Sequence, residues 1–584
     1  VRSVNADKPF DEFVREQLAG DEIAGYTADG DITPDMVDKL VATHFLRNAP
    51  DGTGESDGNP LERTVDRYSV IEGTVQLLGS SLLGMTVQCA KCHDHKFEPF
   101  SQQEYYQLQA ILQPAYSPDK WLLPKERIVS VGTRAERTEN KGKLERYDKE
   151  LKALTESQEG LLKPLRKLLL EERLQNLSAE TKTAITKALD KKEKERSAEM
   201  KNLLKKNAEL VEVKTEDLEK RFPDLAASIR ASADALNRLE KQRPAALPTI
   251  SVLSDAGGEL PKHHILIRGN YAKPGNEVVA GVPVAFRGDA FSVPPGRETT
   301  GRRLAFAQWI TSARHPSFAR LEVNRIWQHH FGTGIVPTAE NFGVTGGKPS
   351  HPELLDFLAS AFVRSGWSTK AIHRLIVNSA TYRQSGAMRT AAYKVDPDNR
   401  LLWRFPIQRL DAESIRDAML AITGELDEGL GGSFVPKSKT AEGEYVINES
   451  EKGARRRSLY LQQKRTGQIT FMEVFDTARM NPNCVQRTQS TVALQSLTML
   501  NSGFIRSRSK AFATKLLKEP KPDRLERAFE LALGRRPSAD EKKAATEFFQ
   551  KQEVEYSGKK DGEIMLCTDF CQMLFASNSF LYFE

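Results

Sequence analysis

The residues with the greatest chemical capacity for their spacing are Cys89-Ala90-Lys91-Cys92-His93. Two thiols three apart, followed directly by an imidazole, suit three kinds of site. The spacing lets both sulfurs add across the two vinyl groups of a haem while the adjacent imidazole reaches the iron as proximal ligand. The same thiols with His93 or His95 would make three of four tetrahedral zinc ligands. The fourth would have to come from Cys484 or a distant His, because the sequence has no second Cys-x-x-Cys and no His-x-x-x-His. A redox dithiol is the third reading, and it calls for a strand before the pair and a helix after it within a βαβ unit. The flanking residues lack that pattern.

For a haem, adjacency makes His93 the proximal iron ligand, and His95 is tethered too closely to reach the opposite face. Met85 and His44 are the candidates for the distal position. Each has an ordinary alternative: Met85 as core filling and His44 as a surface residue. A distal position open to water would favour ligand binding or catalysis over simple electron transfer. Asp94, His95 and Lys96 either form a polar network that orients the ring or a capped turn with a salt bridge.

Other constellations are weaker. His329-His330, with Asn324, Arg325, Asn341 and His351, would line a polar cleft if they met, but Asn and Arg tying down the backbone around "FGTGIVPTAENFG" is the favoured reading. Cys567 and Cys571 fall at helical spacing with Ile564, Phe570 and Leu574 and read as buried thiols. There is no Walker loop, dinucleotide fingerprint, serine nucleophile elbow or metalloprotease helix, so no catalytic residue is assigned and enzyme activity stays open.

The elements that must position the Cys pair are helical. "PFDEFVREQLAGDEI" is amphipathic on Phe10, Phe13, Val14 and Leu18, with Gly20 expected to close it. A Gly/Asp/Asn/Pro-rich loop (49–60) precedes a helix on Val70, Val75, Leu77 and Leu78 that leads to the pair. From about 130 to 243 the composition shifts to Lys, Glu, Leu and Ala, with a narrow seam (Leu144, Tyr147, Leu151, Leu154, Leu161, Leu165, Leu168) expected to break at Pro164 and to return antiparallel on Ile229, Ala233, Leu236 and Leu239. Short β pieces, "TISVLS" and "HHILIRGNY", follow. Helices then dominate, with a capping box expected at Ser350–Glu353, caps at Ser368 and Asp411, and "RRSLYLQQKR" alternating as a strand.

A chain of 584 residues exceeds what one hydrophobic core supports. The net charge of +6 is spread over 85 basic and 79 acidic residues, too diffuse for a nucleic-acid face. Five cysteines rule out a disulfide scaffold, and no run is long and apolar enough for a transmembrane segment. The chain opens Val1-Arg2-Ser3, with no signal peptide to read.

"LLGMTVQCAKCHDHKFEPFSQQEYYQLQAIL" closely resembles the planctomycete cytochrome C-like domain of unknown function. "FARLEVNRIWQHHFGTGIVPTAENFG", "GWSTKAIHRLIVNSATYRQS" and "CVQRTQSTVALQSLTMLN" resemble the planctomycete-specific C-terminal domain that follows it. The match enters the first domain part-way, as expected of an N-terminally truncated chain. The resemblance implies covalent haem c at Cys89, Cys92 and His93 and an extracytoplasmic address, periplasm or cell envelope, since haem c is attached on the outer side of the membrane.

The resulting expectation is a mainly α chain with minor β: a partial cytochrome c-like domain (1–125), a charged helical or coiled-coil arm (126–245), a β and Pro/Gly-rich connector (246–298) and a mostly helical C-terminal domain (299–584). The function expected is redox or electron handling with an unknown redox partner or envelope protein. A zinc-bound or structural Cys pair in an envelope scaffold is the alternative, and haem-dependent oxidation of a polysaccharide a further one.

Overall fold

After a short helical turn at Arg2–Asn5, helix α1 (Phe10–Ala24) buries Val14 and Leu18 and carries Asp11 and Glu12 in its first turn, where they meet the positive end of the helix dipole. Gly20 does not close it. The helix kinks at Ala19 (φ −147°) and runs on to Gly25, whose φ of +63° makes it the left-handed cap. Gly20 is required for a different reason: a Cβ there would lie 2.0 Å from the Lys39 carbonyl oxygen. Here a close backbone approach has the same sequence signature as a cap.

This is a computed structural model, and it describes all residues except 50, 53–58, 124–125, 192–194, 258–261, 287–288, 295–298, 465, 479–483, 485, 488 and 584. The loop expected over 49–60 therefore lies largely outside the described residues. Helix makes up 56% of the chain and strand 5%, so helix packing has to build the cores. The strands form two-stranded antiparallel pairs: β1 (Ile128–Ser130) with β2 (Thr249–Ser251), β3 (His263–Leu266) with β4 (Pro274–Val278), β5 (Gln408–Arg409) with β8 (Tyr582–Phe583), and β6 (Ser438–Lys439) with β7 (Tyr445–Val446).

The chain divides into two compact units. The larger comprises Val1–Gly25, Lys39–Arg127 and Val252–Glu584. Its first core is shared by residues far apart in sequence: Val14 and Leu18 of α1, Val70, Val75 and Leu78 of α2 (Pro60–Leu78), Tyr105, Tyr106 and Leu108 of α3 (Gln102–Leu112), Leu266 of β3, and Phe306, Trp309 and Trp327 beyond. Each fully buried side chain of this size contributes about 1.5–3 kcal/mol. A buried ion cluster accompanies it: Arg303 donates to both carboxylate oxygens of Asp21 at 2.7 Å and to Asp255 at 2.9 Å, while Glu22 accepts the Leu304 amide at 3.0 Å. A second core gathers Ile415, Met419, Phe512, Phe570, Cys571 and Phe575. Cys571 is fully buried and Cys567 partly so, and burial pushes both thiols up in pKa.

The smaller unit comprises Tyr26–Asp38 and Ile128–Ser251. Its longest helix, α4 (Arg134–Arg173), starts at a Thr133–Glu136 capping box and continues through Pro164 without a break. Proline inside a helix costs about 3 kcal/mol. Leu162, Leu165 and Leu169 on either side of it pack with Leu218 and Ile229, and that burial offsets the cost. α5 (Ala226–Lys241) returns antiparallel: Ile229 meets the far end of α4, and Ala245 accepts a bond from Asn140 near its start. Tyr26–Asp38 joins this unit through the Ile32–Gly132 bridge, a pairing that no periodicity in the sequence marks.

In the C-terminal half, Ser368 and Asp411 cap their helices as expected, accepting from Ala371 and Ser414. The expected capping box at Ser350 is replaced by His351 as the cap residue with Pro352 in the first turn, because the Ser350 hydroxyl is bound to the Ile335 carbonyl. "RRSLYLQQKR" is not a strand. Ser458–Tyr460 is a 3₁₀ turn, fixed by the Asp417 carboxylate accepting both the Ser458 amide and hydroxyl.

Candidate functional site

α2 runs into a π turn at Gly79–Leu83, after which Gln88–Lys91 forms a 3₁₀ turn. Val87 and Ala90, both fully buried, anchor this turn in the core. Cys92 follows that turn and donates its amide to the Cys89 carbonyl at 3.3 Å, so one turn carries both cysteines at an exposed edge. Both thiols are free and exposed.

The backbone of the motif is held from behind. The Lys91 carbonyl accepts from the Tyr106 hydroxyl at 2.9 Å and from Gln102 Nε2 at 3.1 Å, while Lys91 Nζ pairs with Glu72 at 2.8 Å. Burial, then the neighbouring Glu72, pushes the Tyr106 phenol well up in pKa, so it stays a donor. The Arg268–Gly269 turn lies against the motif: Cys92 Sγ sits 3.5 Å from the Arg268 carbonyl, and a Cβ on Gly269 would come within 3.1 Å of that sulfur.

His93 is exposed, and its Nδ1 lies 2.6 Å from the Asp94 carbonyl oxygen. A carbonyl only accepts, so Nδ1 carries the hydrogen and Nε2 keeps its lone pair. This is the tautomer in which an imidazole ligates through Nε2, oriented by the bond at its other nitrogen. His95 is in the opposite state. Its Nδ1 accepts the Glu98 amide at 2.9 Å and the Phe97 amide at 3.3 Å, which leaves its hydrogen on Nε2. Asp94 accepts the Gln102 amide at 2.8 Å at the start of α3. Asp94 and His95 thus cap a turn, and Lys96 Nζ lies 5.2 Å from the Phe97 ring centre.

The two distal candidates sit in different surroundings. Met85 is 5% exposed and packs inside the first core. His44 is exposed on the 3₁₀ turn Thr43–Asn48.

The exposed thiols and the His93 lone pair are the groups that a covalent haem would use. Among the described residues no three His, Cys, Asp or Glu side chains gather as a metal-holding group, Cys89, Cys92 and His93 included. A zinc ion needs four ligands converging within about 2.3 Å of one point. A haem needs two accessible thiols and one imidazole with a free Nε2 lone pair, and all three are present. Cys89 and Cys92 would hold it and His93 would ligate its iron.

The second His group resolves differently. Asn324 is fully buried, accepting the Val336 amide at 2.8 Å and donating to the Val336 carbonyl at 3.0 Å, and Arg325 donates to the Ser81 carbonyl at 2.6 Å. Asn324 ties down the backbone at Val336, as the sequence favoured, whereas Arg325 ties down the Gly79–Leu83 turn instead. Asn341 and His351 bond locally, to Thr345 and Ser350. His330 instead meets His373, which the sequence gave no signal to single out. Tyr106, Glu72 and Gly269 were also missed around the Cys pair, because each reaches it from a separate segment of the fold. Cys484 is exposed, its thiol 3.3 Å from the Gln486 carbonyl.

Residues 1–116 match the model of the family PSCyt2, proteins of unknown function (DUF1549), and residues 302–549 match that of PSD1, proteins of unknown function (DUF1553). The chain therefore belongs with the proteins that carry the planctomycete cytochrome C-like domain followed by the planctomycete C-terminal domain. No curated protein and no solved structure matches it.

Proposed function

We propose that this chain is an extracytoplasmic c-type haem protein that handles electrons, with haem bound through Cys89 and Cys92 and ligated by His93. The observation that carries the reading is the 2.6 Å bond from His93 Nδ1 to the Asp94 carbonyl, which leaves Nε2 its lone pair in the residue directly after two exposed thiols. Bound haem would supply one-electron chemistry at its iron. The chain's part is to hold the thiols on one edge through the 3₁₀ turn and to fix the imidazole tautomer. Tyr106 and Gln102 on the Lys91 carbonyl keep that edge from shifting. The fully buried Val87 and Ala90 close the core beneath it.

The test is the intact mass and pyridine haemochrome spectrum of protein exported from a host with a haem c maturation system. One covalent haem is expected, lost in the Cys89→Ser/Cys92→Ser double variant and retained covalently but with altered axial ligation in His93→Ala. A colourless protein with stoichiometric zinc by elemental analysis overturns the proposal and leaves the scaffold reading.

A further inference from the structure

The C-terminal end of the larger unit holds a cavity that the haem reading does not use. It lies between the helices Gly503–Leu516, Arg524–Leu533, Ala539–Tyr556 and Gly562–Phe575. Its volume of about 580 Å³ falls within the range of small-molecule sites. We infer that this cavity binds an amphipathic monocarboxylate, with an apolar tail held inside and the carboxylate at a cationic mouth.

The walls select the tail. Leu516 and Phe570 are buried, Leu525, Phe549 and Leu566 are half-buried, and the Phe549 and Phe570 ring centres lie 4.7 Å apart. Polar groups along these walls are already engaged. The Tyr556 hydroxyl donates to Asp569 at 2.5 Å, and Arg524 donates to the Glu519 and Leu517 carbonyls at 2.9 and 3.1 Å and to Glu563 at 2.8 Å. A sugar or nucleotide entering here would give up hydrogen bonds to water without replacing them, whereas an alkyl chain gives up only its unfavourable hydration.

The mouth selects the head group. Lys521 and Lys559 line it and are exposed, and neither ammonium pairs with a carboxylate among the described residues; Lys559 Nζ lies 4.8 Å from the Tyr556 ring centre instead. Since Glu563 is taken by Arg524, Glu553 is the remaining carboxylate of the lining. Two ammonium groups against one carboxylate leave a surplus of one positive charge. A single carboxylate matches that surplus, and a second anionic group would go uncompensated.

The test is calorimetric titration of the full chain with decanoate, alongside decanol, which keeps the tail, and butyrate, which keeps the head group. Decanoate should bind one to one and at least about tenfold more tightly than either control. Lys521→Glu/Lys559→Glu, a change at two exposed positions, should weaken decanoate about tenfold by turning two exposed attractions into repulsions. Cys567 lines the cavity, so its labelling by iodoacetamide, read by peptide mass mapping, should slow at saturating decanoate while that of the exposed Cys484 does not. This last measurement uses the unsubstituted protein and stands whether or not the variant folds. The inference is overturned if decanoate shows no one-to-one binding, if decanol binds as tightly, if a folded double-lysine variant keeps its affinity, or if Cys567 is labelled equally fast with decanoate present.

Discussion

Glu98, in the loop that follows the Cys motif, accepts the Val344 amide at 3.0 Å through Oε2. The same carboxylate accepts the Thr345 hydroxyl at 3.2 Å and lies 3.4 Å from the Thr345 amide. Glu98 is 4% exposed, so these donors stand in for the water its carboxylate has lost. Two segments 246 residues apart, each within a different matched family, are thereby clamped at the candidate site.

Glu98→Ala should lower stability by about 2 kcal/mol, in the range for hydrogen bonds to a charged group, and Glu98→Gln by about half that, because the amide keeps one acceptor. Denaturant unfolding followed by tryptophan fluorescence measures this. An Ala variant within about 0.5 kcal/mol of wild type, the scatter of an ordinary surface change, would show that the clamp holds nothing.

Gly20→Ala should cost about 1–3 kcal/mol, an overpacking penalty, since the new methyl is aimed at the rigid Lys39 carbonyl 2.0 Å away. Gly25→Ala is strained instead through its φ of +63°, with nothing within 4 Å of the added carbon. The high-resolution structure of each variant distinguishes them: Gly20→Ala should displace Lys39, and Gly25→Ala should shift only its own backbone.

These glycines also mark how much was legible in the sequence. The two differ in role, yet both sit near the end of an amphipathic run, so periodicity alone favoured the wrong one. Local chemistry was readable where one side chain meets its own backbone, as at Ser368 and Asp411. It failed where a distant partner had claimed the group: Ile335 takes Ser350, and Asp417 bends the alternating "RRSLYLQQKR" into a turn. Pro164 stays helical because packing outweighs the local penalty. At the candidate site the thiols and His93 were legible from spacing. The tautomer of His93, the support from Tyr106 and the meeting of His330 with His373 were not, since each depends on backbone direction or a contact across the fold.

Stability should fall as pH drops from about 6.5 toward 4, and His315 should carry part of the loss. Its Nδ1 accepts the Phe318 amide at 3.3 Å at the start of the helix Phe318–Phe331, and its ring stacks on Phe286 and meets Trp309 edge-on. Burial brings it down from 6.5 to about 4. A folded-state value below the unfolded one means the folded protein binds fewer protons, so the contribution is complete above 6.5 and disappears as pH falls through 4. The full shift corresponds to on the order of 3 kcal/mol as an upper bound. His263, also lowered to about 4 by burial, acts with the same sign. His315→Asn should flatten the melting temperature profile between pH 6.5 and 4; an unchanged slope would remove His315 from the account.

The smaller unit should be dispensable for haem attachment. The Arg127 carbonyl accepts the Val252 amide at 3.0 Å, so the chain leaves the larger unit and returns to it a single hydrogen bond apart. Residues 128–251 can then be replaced by a short Gly-Ser linker without stretching either end. Cys89, Cys92 and His93, with Glu72, Tyr106, Arg268 and Gly269 around them, all belong to the larger unit. Deletion leaves Tyr26–Asp38 without its partners and would expose Ile32, which is 1% exposed in the intact chain, so the variant should also carry Ile32→Ser to limit aggregation. The expected result is an unchanged ratio of haem to protein by haemochrome absorbance and intact mass. Haem missing from a deletion variant that keeps its helical circular dichroism and a cooperative melt would mean that residues 128–251 take part in the site, and the larger unit would then not be the whole of the haem-binding structure.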